Sequence, residues 1–244
     1  MSLNLPPLIT TSNRKEEGPA RELLYTKSQA TRLIKSGNQV FGTPGASLTW
    51  GIEGSSGGQV TAGENGEKQV AKELDKIVEK YPNVRVFHSV EWPGSVGDTD
   101  HMLVIGNLVL IIDAKRWKAK RKYSVNAKGE VMRGTVPFPE GKVKMMPAMK
   151  AWRNELGKKA RVTGMVCIAQ EEVFVPYDQN WAKAPYRLVT AEKFEEFIDR
   201  LIAKLKPETV NADNTEILQT IAERVIKARN RRQELIKLDA MKRR

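Results

Sequence analysis

The chain has 244 residues, of which 41 are Lys or Arg and 29 are Asp or Glu, so its net charge is +12. At 40% hydrophobic residues it is too apolar for a disordered chain, its single cysteine excludes a disulfide framework or a cysteine-rich zinc site, and no apolar run approaches the roughly 20 residues of a membrane span. The first ten residues lack the basic and apolar regions of a signal peptide, so we expect a soluble, cytoplasmic protein.

The excess positive charge lies in one stretch. Residues 115–161 hold 15 basic and three acidic residues, so this stretch alone carries +12 and the rest of the chain is neutral. A polyanion suits such a surface, and nucleic acid is the commonest polyanionic partner. The alternative is a lysine-rich face that is only solvated.

The first 60 residues are predicted to form an N-terminal arm. Residues 1–18 are polar and contain Pro6 and Pro7, residues 19–35 have the pattern of a short helix, and residues 42–58 are rich in Gly, Ser, Thr and Pro. The last of these segments is typical of a linker or a flexible loop.

Residues 61–190 are predicted to form a mixed α/β core, because helical and strand periodicities follow one another without a repeat. Gly106 and Asn107 separate two apolar runs, which is typical of a hairpin, and a second, basic hairpin is predicted to turn at 126–129. The predicted elements are a helix over 64–80, strands over 84–90, 99–105, 108–115, 122–125 and 130–134, a helix over 147–159, and strands over 162–169, 172–175 and 186–189.

Residues 191–244 are predicted to form a C-terminal helical extension. Thr190 is a candidate cap for a helix that ends at Lys206, and residues 214–244 carry the apolar stripe of a longer helix surrounded by basic residues. This last helix could pack on the core, form a dimer contact or add a contact to DNA.

Three acidic residues and one lysine suggest a chemistry for the core. Asp113 and Lys115 are two residues apart on a predicted strand, so they share a face, and Asp100 enters the neighbouring strand of the hairpin. Glu67 lies in the preceding helix. Carboxylates that converge repel one another unless a cation is bound, and hard oxygen ligands select Mg²⁺ or Mn²⁺. A lysine beside them can orient or help deprotonate the attacking water, and it can offset negative charge in phosphodiester hydrolysis.

These residues resemble the signature of the PD-(D/E)xK nuclease superfamily and, within it, the NERD (nuclease-related domain) family. The resemblance covers roughly residues 60 to 175. Its motifs are Gly63-Glu64-Asn65-Gly66-Glu67 at a helix start, Gly97-Asp98-Thr99-Asp100-His101 entering a strand, and Ile111-Ile112-Asp113-Ala114-Lys115-Arg116-Trp117 leaving one.

The resemblance implies a restriction-endonuclease-like fold, in which a mixed β-sheet core is flanked by helices, and a metal-dependent DNA endonuclease. Glu67, Asp100 and Asp113 would bind Mg²⁺ or Mn²⁺, and Lys115 would be the catalytic lysine. The residues expected to contact nucleic acid are Arg116, Trp117, Lys118, Lys120, Arg121, Lys122, Lys150 and Arg153. Trp117 has the alternative of a packing residue at the sheet edge.

Two positions depart from the family pattern. Lys150 stands three residues after Pro147, where the family often has Gln, and Thr99 rather than Pro precedes Asp100. The substrate is expected to be double-stranded DNA, and the resemblance suggests that the protein belongs to a mobile element, a phage or a host-defence system. The sequence leaves a homodimer open. The alternatives are a catalytically inactive nucleic-acid-binding module and an assembly subunit that uses its terminal helices.

Overall fold

The structure, a computed structural model, describes residues 21–50, 57–95, 97–141, 143–176, 184–210, 212 and 214–228. Its helices are α1 (Lys27–Lys35), α2 (Gly57–Lys80), α3 (Met145–Leu156), α4 (Phe194–Ala203), α5 (Pro207–Val210) and α6 (Thr215–Ala222). Its strands are β1 (Val40–Phe41), β2 (Val84–Glu91), β3 (Asp98–Ile105), β4 (Leu108–Lys115), β5 (Arg121–Val125), β6 (Val131–Arg133), β7 (Val136–Pro137), β8 (Arg161–Ile168), β9 (Val173–Phe174) and β10 (Arg187–Thr190).

The larger sheet has six strands in the order β1-β2-β3-β4-β8-β10. The strands β2, β3 and β4 are antiparallel neighbours, whereas β1 runs parallel to β2, and β8 runs parallel to both β4 and β10. The predicted Gly106-Asn107 hairpin joins β3 to β4, with Gly106 at a φ of 54°. This mixed sheet with flanking helices confirms the predicted α/β class and is consistent with a restriction-endonuclease-like core.

Both faces of the larger sheet are buried. On one face, α2 and α4 pack through side chains such as Leu74 and Phe194. On the other, α3 and α6 pack through side chains such as Trp152 and Ile221. Because neighbouring residues of a strand point to opposite faces, β4 supplies Ile112 to the first cluster and Ile111 to the second. Burial on both sides explains why β4 and β8 are almost continuously apolar.

A second sheet of four strands, in the order β7-β6-β5-β9, contains the predicted basic hairpin of β5 and β6. Its strands β5 and β9 are parallel, with Lys122 opposite Phe174. The chain segments that leave β4 and β8 therefore stay side by side and pair again as β5 and β9. The small sheet is a continuation of the central strand pair of the large one.

Several helix bounds differ from the prediction. The helix predicted over 19–35 begins only at Lys27, where Thr26 and Gln29 form a capping box, and α2 begins seven residues before the predicted residue 64. Thr190 makes no side-chain capping hydrogen bond, and α4 follows a 3-10 turn and ends at Ala203, before the predicted Lys206.

The helix predicted over 214–244 is confirmed over Thr215–Ala222 and is wrong for the described residues beyond it. The helix α6 ends at Ala222, and Val225 and Ile226 then form isolated β-bridges with Val90 and Leu23. Both residues are fully buried, so their tertiary packing outweighs the helical pattern of the sequence. Residues 1–18 and 229–244 lie outside the described residues. No helix within the described ranges is both long and apolar enough to cross a membrane.

Candidate active site

Asp113 and Lys115 form an ion pair at the end of β4. Lys115 Nζ donates to Asp113 Oδ1 at 2.7 Å, and the two side chains are 23% and 25% exposed. Their contact agrees with the shared face that the strand spacing predicts. The end of β4 is held in the sheet by β8, whose pairing continues through Lys115 opposite Ile168.

The sheet opens beside this ion pair. Pairing between β3 and β4 stops at His101 opposite Ile112, so Asp100 and Asp113 are not joined through their main chains. Instead, Asp100 Oδ2 accepts the main-chain N–H of Ala114 at 2.7 Å. The Asp100 carboxylate therefore fills the gap where the two strands separate, next to the end of β4.

Glu67 reaches the same point from α2. Its side chain is 4% exposed, and its Oε2 accepts the main-chain N–H of Gly45 at 2.9 Å. A Cβ added on Gly66 would lie 3.8 Å from the side chains of Ala169 and Arg116, an ordinary contact distance, so this part of α2 packs against the residues that follow β8 and β4. The structure thus brings together the four residues whose catalytic roles the sequence predicts.

The electrostatics reflect this crowding. Burial is the main cause that raises the pKa of Glu67 to about 7, against the lowering effect of the Gly45 N–H. Burial, followed by the charges of Glu67 and Asp113, raises the pKa of Asp100 well above its ordinary value. Burial lowers the pKa of Lys115, but Asp113 and Asp100 outweigh it, so the net pKa is raised and the ammonium stays charged. Without a cation, the environment therefore favours the protonated forms of Glu67 and Asp100.

The fit of a divalent cation can be judged from the oxygen atoms. Within the described ranges, no three His, Cys, Asp or Glu side chains are arranged as a ready set of metal ligands. Glu67 and Asp100 each use one oxygen to accept a main-chain N–H, as described above. By contrast, Asp113 Oδ2 is buried and accepts no hydrogen bond. A buried, unpartnered carboxylate oxygen is costly alone and suits a hard cation, so the residues fit a site centred on Asp113 and Asp100.

Two buried histidines lie behind the cluster. His101 Nδ1 is 2.8 Å from His88 Nδ1, which requires one ring to donate and the other to accept. Burial lowers the pKa of His88 to about 4 and, together with His88, lowers that of His101 well below its ordinary value. Both rings are therefore neutral at pH 7.

Most of the predicted nucleic-acid contacts are exposed around the strand that leaves the site. Arg116 follows Lys115 directly, and its Nε donates to Gln170 Oε1 at 3.3 Å. The exposed basic side chains beyond it on this segment are Lys118, Lys120, Arg121 and Lys122. They continue from the end of β4 onto the small sheet, as the charge distribution predicts.

Trp117 is corrected from a base contact to a packing residue. It is only 8% exposed, and the centre of its ring lies 4.9 Å from that of Tyr123 and 5.6 Å from that of Phe138. A ring enclosed in this way supports the small sheet and is not presented to a base. Lys150 and Arg153 are exposed on α3, where the Arg153 guanidinium donates to the carbonyl oxygen of Val162 at 3.0 Å.

The sequence did not reveal two neighbours of the site. Gly45 lies in a segment interpreted as a linker, and its glycine-rich composition indicates a turn without indicating a partner 22 residues away. Tyr186 is near enough to Asp113 for that charge to add to burial in raising the pKa of the phenol, and its hydroxyl donates to the carbonyl oxygen of Gly129 at 2.8 Å. Both neighbours come from parts of the chain distant from the residues they approach, so only the folded structure reveals them.

Comparison with known proteins agrees with the motifs. Residues 62–169 match the family model described as the nuclease-related domain. No match was found among curated proteins or among solved structures. The matched segment runs from the start of the glutamate motif in α2 to the end of β8, and includes Glu67, Asp100, Asp113 and Lys115. The resemblance to the nuclease-related domain (NERD) family is therefore confirmed over residues 62–169.

Proposed function

We propose that this protein is a metal-dependent endonuclease that hydrolyses the phosphodiester bonds of double-stranded DNA. The observation that carries the proposal is the convergence of Asp100, Asp113 and Glu67 on Lys115, at the strand end where the positive stretch begins. The family match supports a nuclease-related function. The choice of DNA rests on the charge of residues 115–161 and on the resemblance.

Asp113 and Asp100 would hold Mg²⁺ or Mn²⁺, and Glu67 would complete or support the site. The bound ion would supply an acidified water and neutralise charge on the phosphate. Asp113 supports this assignment because its Oδ2 is the buried oxygen without a partner. Glu67 is suited to a supporting role because Gly45 fixes one of its oxygens.

Lys115 acts as a charged donor in this proposal. Its raised pKa keeps the ammonium protonated beside Asp113, so it is suited to stabilise negative charge on the scissile phosphate rather than to remove a proton from water. The ion pair with Asp113 also fixes the direction of the lysine side chain at the site. Loss of one stabilising donor of this kind typically reduces kcat by about 10²–10³-fold.

Supercoiled plasmid with Mg²⁺, Mn²⁺ or EDTA tests the proposal. Wild-type protein is expected to produce nicked or linear plasmid with either metal and none with EDTA. Lys115→Ala should reduce the rate by about 10²-fold or more, and Asp113→Asn should abolish it. Lys76→Ala is a matched control, since this exposed lysine pairs with Glu73 on α2. Cleavage that persists in both site variants would refute this assignment of the site.

A catalytically inactive nucleic-acid-binding module is the second candidate. The observation in its favour is that Glu67 and Asp100 are already engaged by main-chain donors, and no ready ligand set occurs among the described residues. In that case wild-type protein would bind DNA and leave plasmid intact with every divalent metal tested.

A further inference from the structure

Phe174 is an unusual residue on the surface of the small sheet. Among the described residues four large apolar side chains are exposed, and Phe174, at 59%, is the one aromatic among them. It ends β9, the edge strand of the small sheet, directly opposite Lys122 of β5. The Lys122 ammonium lies 5.7 Å from the centre of the Phe174 ring.

The pair stands beside a groove that carries positive charge. The groove has a volume of about 850 Å³ and lies where the β9 edge of the small sheet meets β10 and α4. Phe174 contributes to its wall, with basic residues at Arg187, Lys193, Arg200 and Lys204. Two acidic residues, Glu192 and Glu196, also line it, so the charged lining has a net positive balance.

The connection to the candidate active site is direct. The main chain passes from Ile168, opposite Lys115, to Phe174 in six residues, and Lys120 N–H donates to the carbonyl oxygen of Glu172 on the way. Six residues span at most about 20 Å, which corresponds to about six nucleotides of a B-form strand at a rise of roughly 3.4 Å. A nucleic acid held at Asp113 can therefore reach Phe174.

We propose that Phe174 and Lys122 form a subsite for an unpaired base of the nucleic-acid substrate, with the base stacked on the Phe174 ring and its phosphate held by Lys122. This inference rests on the proposed function and adds to it a preference for DNA that is single-stranded or distorted near the cut. An exposed ring beside a basic strand is the arrangement by which proteins hold unpaired bases without reading their sequence. In a base-paired duplex the faces of the bases are stacked on one another, so they cannot stack on the Phe174 ring.

The test measures binding of a fluorescent single-stranded oligonucleotide and its duplex by anisotropy, in EDTA and in an Asp113→Asn background that prevents cleavage. Phe174→Ala should weaken single-strand binding by roughly 5- to 150-fold, as expected for one lost base–aromatic stack, and Phe174→Tyr should retain it. Duplex binding should change by less than about twofold. The matched control is Val136→Ala, which truncates a 64% exposed apolar residue on the opposite edge strand β7.

Salt dependence separates stacking from charge. Phe174→Ala should leave the slope of log K against log salt unchanged, whereas Lys122→Gln should reduce its magnitude by about 0.7, the value for one phosphate contact on a single strand. The inference is overturned if Phe174→Ala binds single strands as Val136→Ala does, if duplex binding falls equally, or if wild-type protein binds no single strand. If wild-type protein cleaves plasmid, any of these three binding results leaves the endonuclease proposal intact. Single-strand binding that depends on Phe174, in a wild-type protein that does not cleave plasmid, supports the subsite and refutes the endonuclease proposal.

Discussion

At the scale of single residues, Glu67 has the most consequential environment. Its carboxyl group is buried, and its pKa of about 7 is well above the ordinary 4.5. A carboxyl group with a raised pKa supports the fold only while it is protonated. Its contribution is therefore complete below pH 4.5 and is lost as the pH rises through 7. In the metal-free protein the loss is about 3 kcal/mol of unfolding free energy.

We predict that Glu67→Gln removes this loss. Relative to wild type in EDTA, the variant should be more stable at pH 8 by about 3 kcal/mol and should gain little at pH 4.5, because the neutral amide imitates the protonated acid. Urea unfolding at the two pH values measures the difference. An equal difference at both pH values would show that Glu67 does not titrate in this range.

The comparison must be made between variants, because the histidine pair acts in the opposite direction. The pKa of His88 is lowered to about 4, so its contribution is complete above pH 6.5 and is lost as the pH falls toward 4. The two effects overlap in pH and partly cancel in the wild-type profile. Subtracting the profile of Glu67→Gln from that of wild type isolates the carboxyl group.

At the scale of elements, the β3–β4 hairpin shows how a turn residue is tied to a distant helix. Gly106 has a φ of 54°, and a Cβ added there would lie 1.8 Å from the carbonyl oxygen of Thr209 in α5. The neighbouring Asn107 N–H donates to the same oxygen at 3.2 Å. The turn therefore needs glycine both for its conformation and for the space that α5 leaves.

Gly106→Ala is predicted to lower the unfolding free energy by more than about 2 kcal/mol, because the left-handed conformation costs roughly 1–2 kcal/mol and the clash adds to it. The control is Gly37→Ala, where φ is 81° and nothing lies within 4 Å of the added Cβ, so only the conformational cost applies. Chemical denaturation of both variants gives the two values. Equal losses would mean that α5 moves away without cost.

At the scale of the whole molecule, the C-terminal part of the described chain closes the core. Ile217, Leu218 and Ile221 of α6 are buried, and Val225 bridges to Val90 of β2. Leu24 N–H also donates to the carbonyl oxygen of Val225 at 2.7 Å. The segment therefore fastens the N-terminal part of the described chain to the central sheet.

We predict that truncation after Ala212 destabilises the protein by more than about 5 kcal/mol, a large share of a typical domain's stability, because it removes several buried side chains that each contribute about 2–5 kcal/mol. Truncation after Ala228 retains every one of these contacts and should keep a cooperative thermal transition. Light scattering on this longer variant then measures whether residues 229–244 alter the oligomeric state. A folded shorter variant would contradict the closing role of α6.

The parts of the molecule that the sequence predicted are those with local causes. The alternation of β4, the Gly106-Asn107 turn and the shared face of Asp113 and Lys115 each follow from neighbouring residues. The hydrogen bond from Gly45 to Glu67 and the non-helical chain around Val225 depend on partners far away in sequence. The spacing of apolar residues cannot predict these contacts, because a helix and a non-helical segment that forms β-bridges can both direct apolar side chains into the core.

The separation of β3 from β4 at Asp100 has a consequence for how this domain can change during evolution. Asp100 joins the strands through Ala114, so its replacement harms folding as well as any chemistry. Asp113 Oδ2 makes no such contact, and an asparagine there would remove the unpartnered carboxylate charge while its amide oxygen could still accept from Lys115. We therefore expect that a lineage relieved of selection for cleavage would lose Asp113 first and retain Asp100. In a related domain, an aspartate kept at position 100 without one at position 113 would therefore indicate a requirement of folding and not nuclease activity.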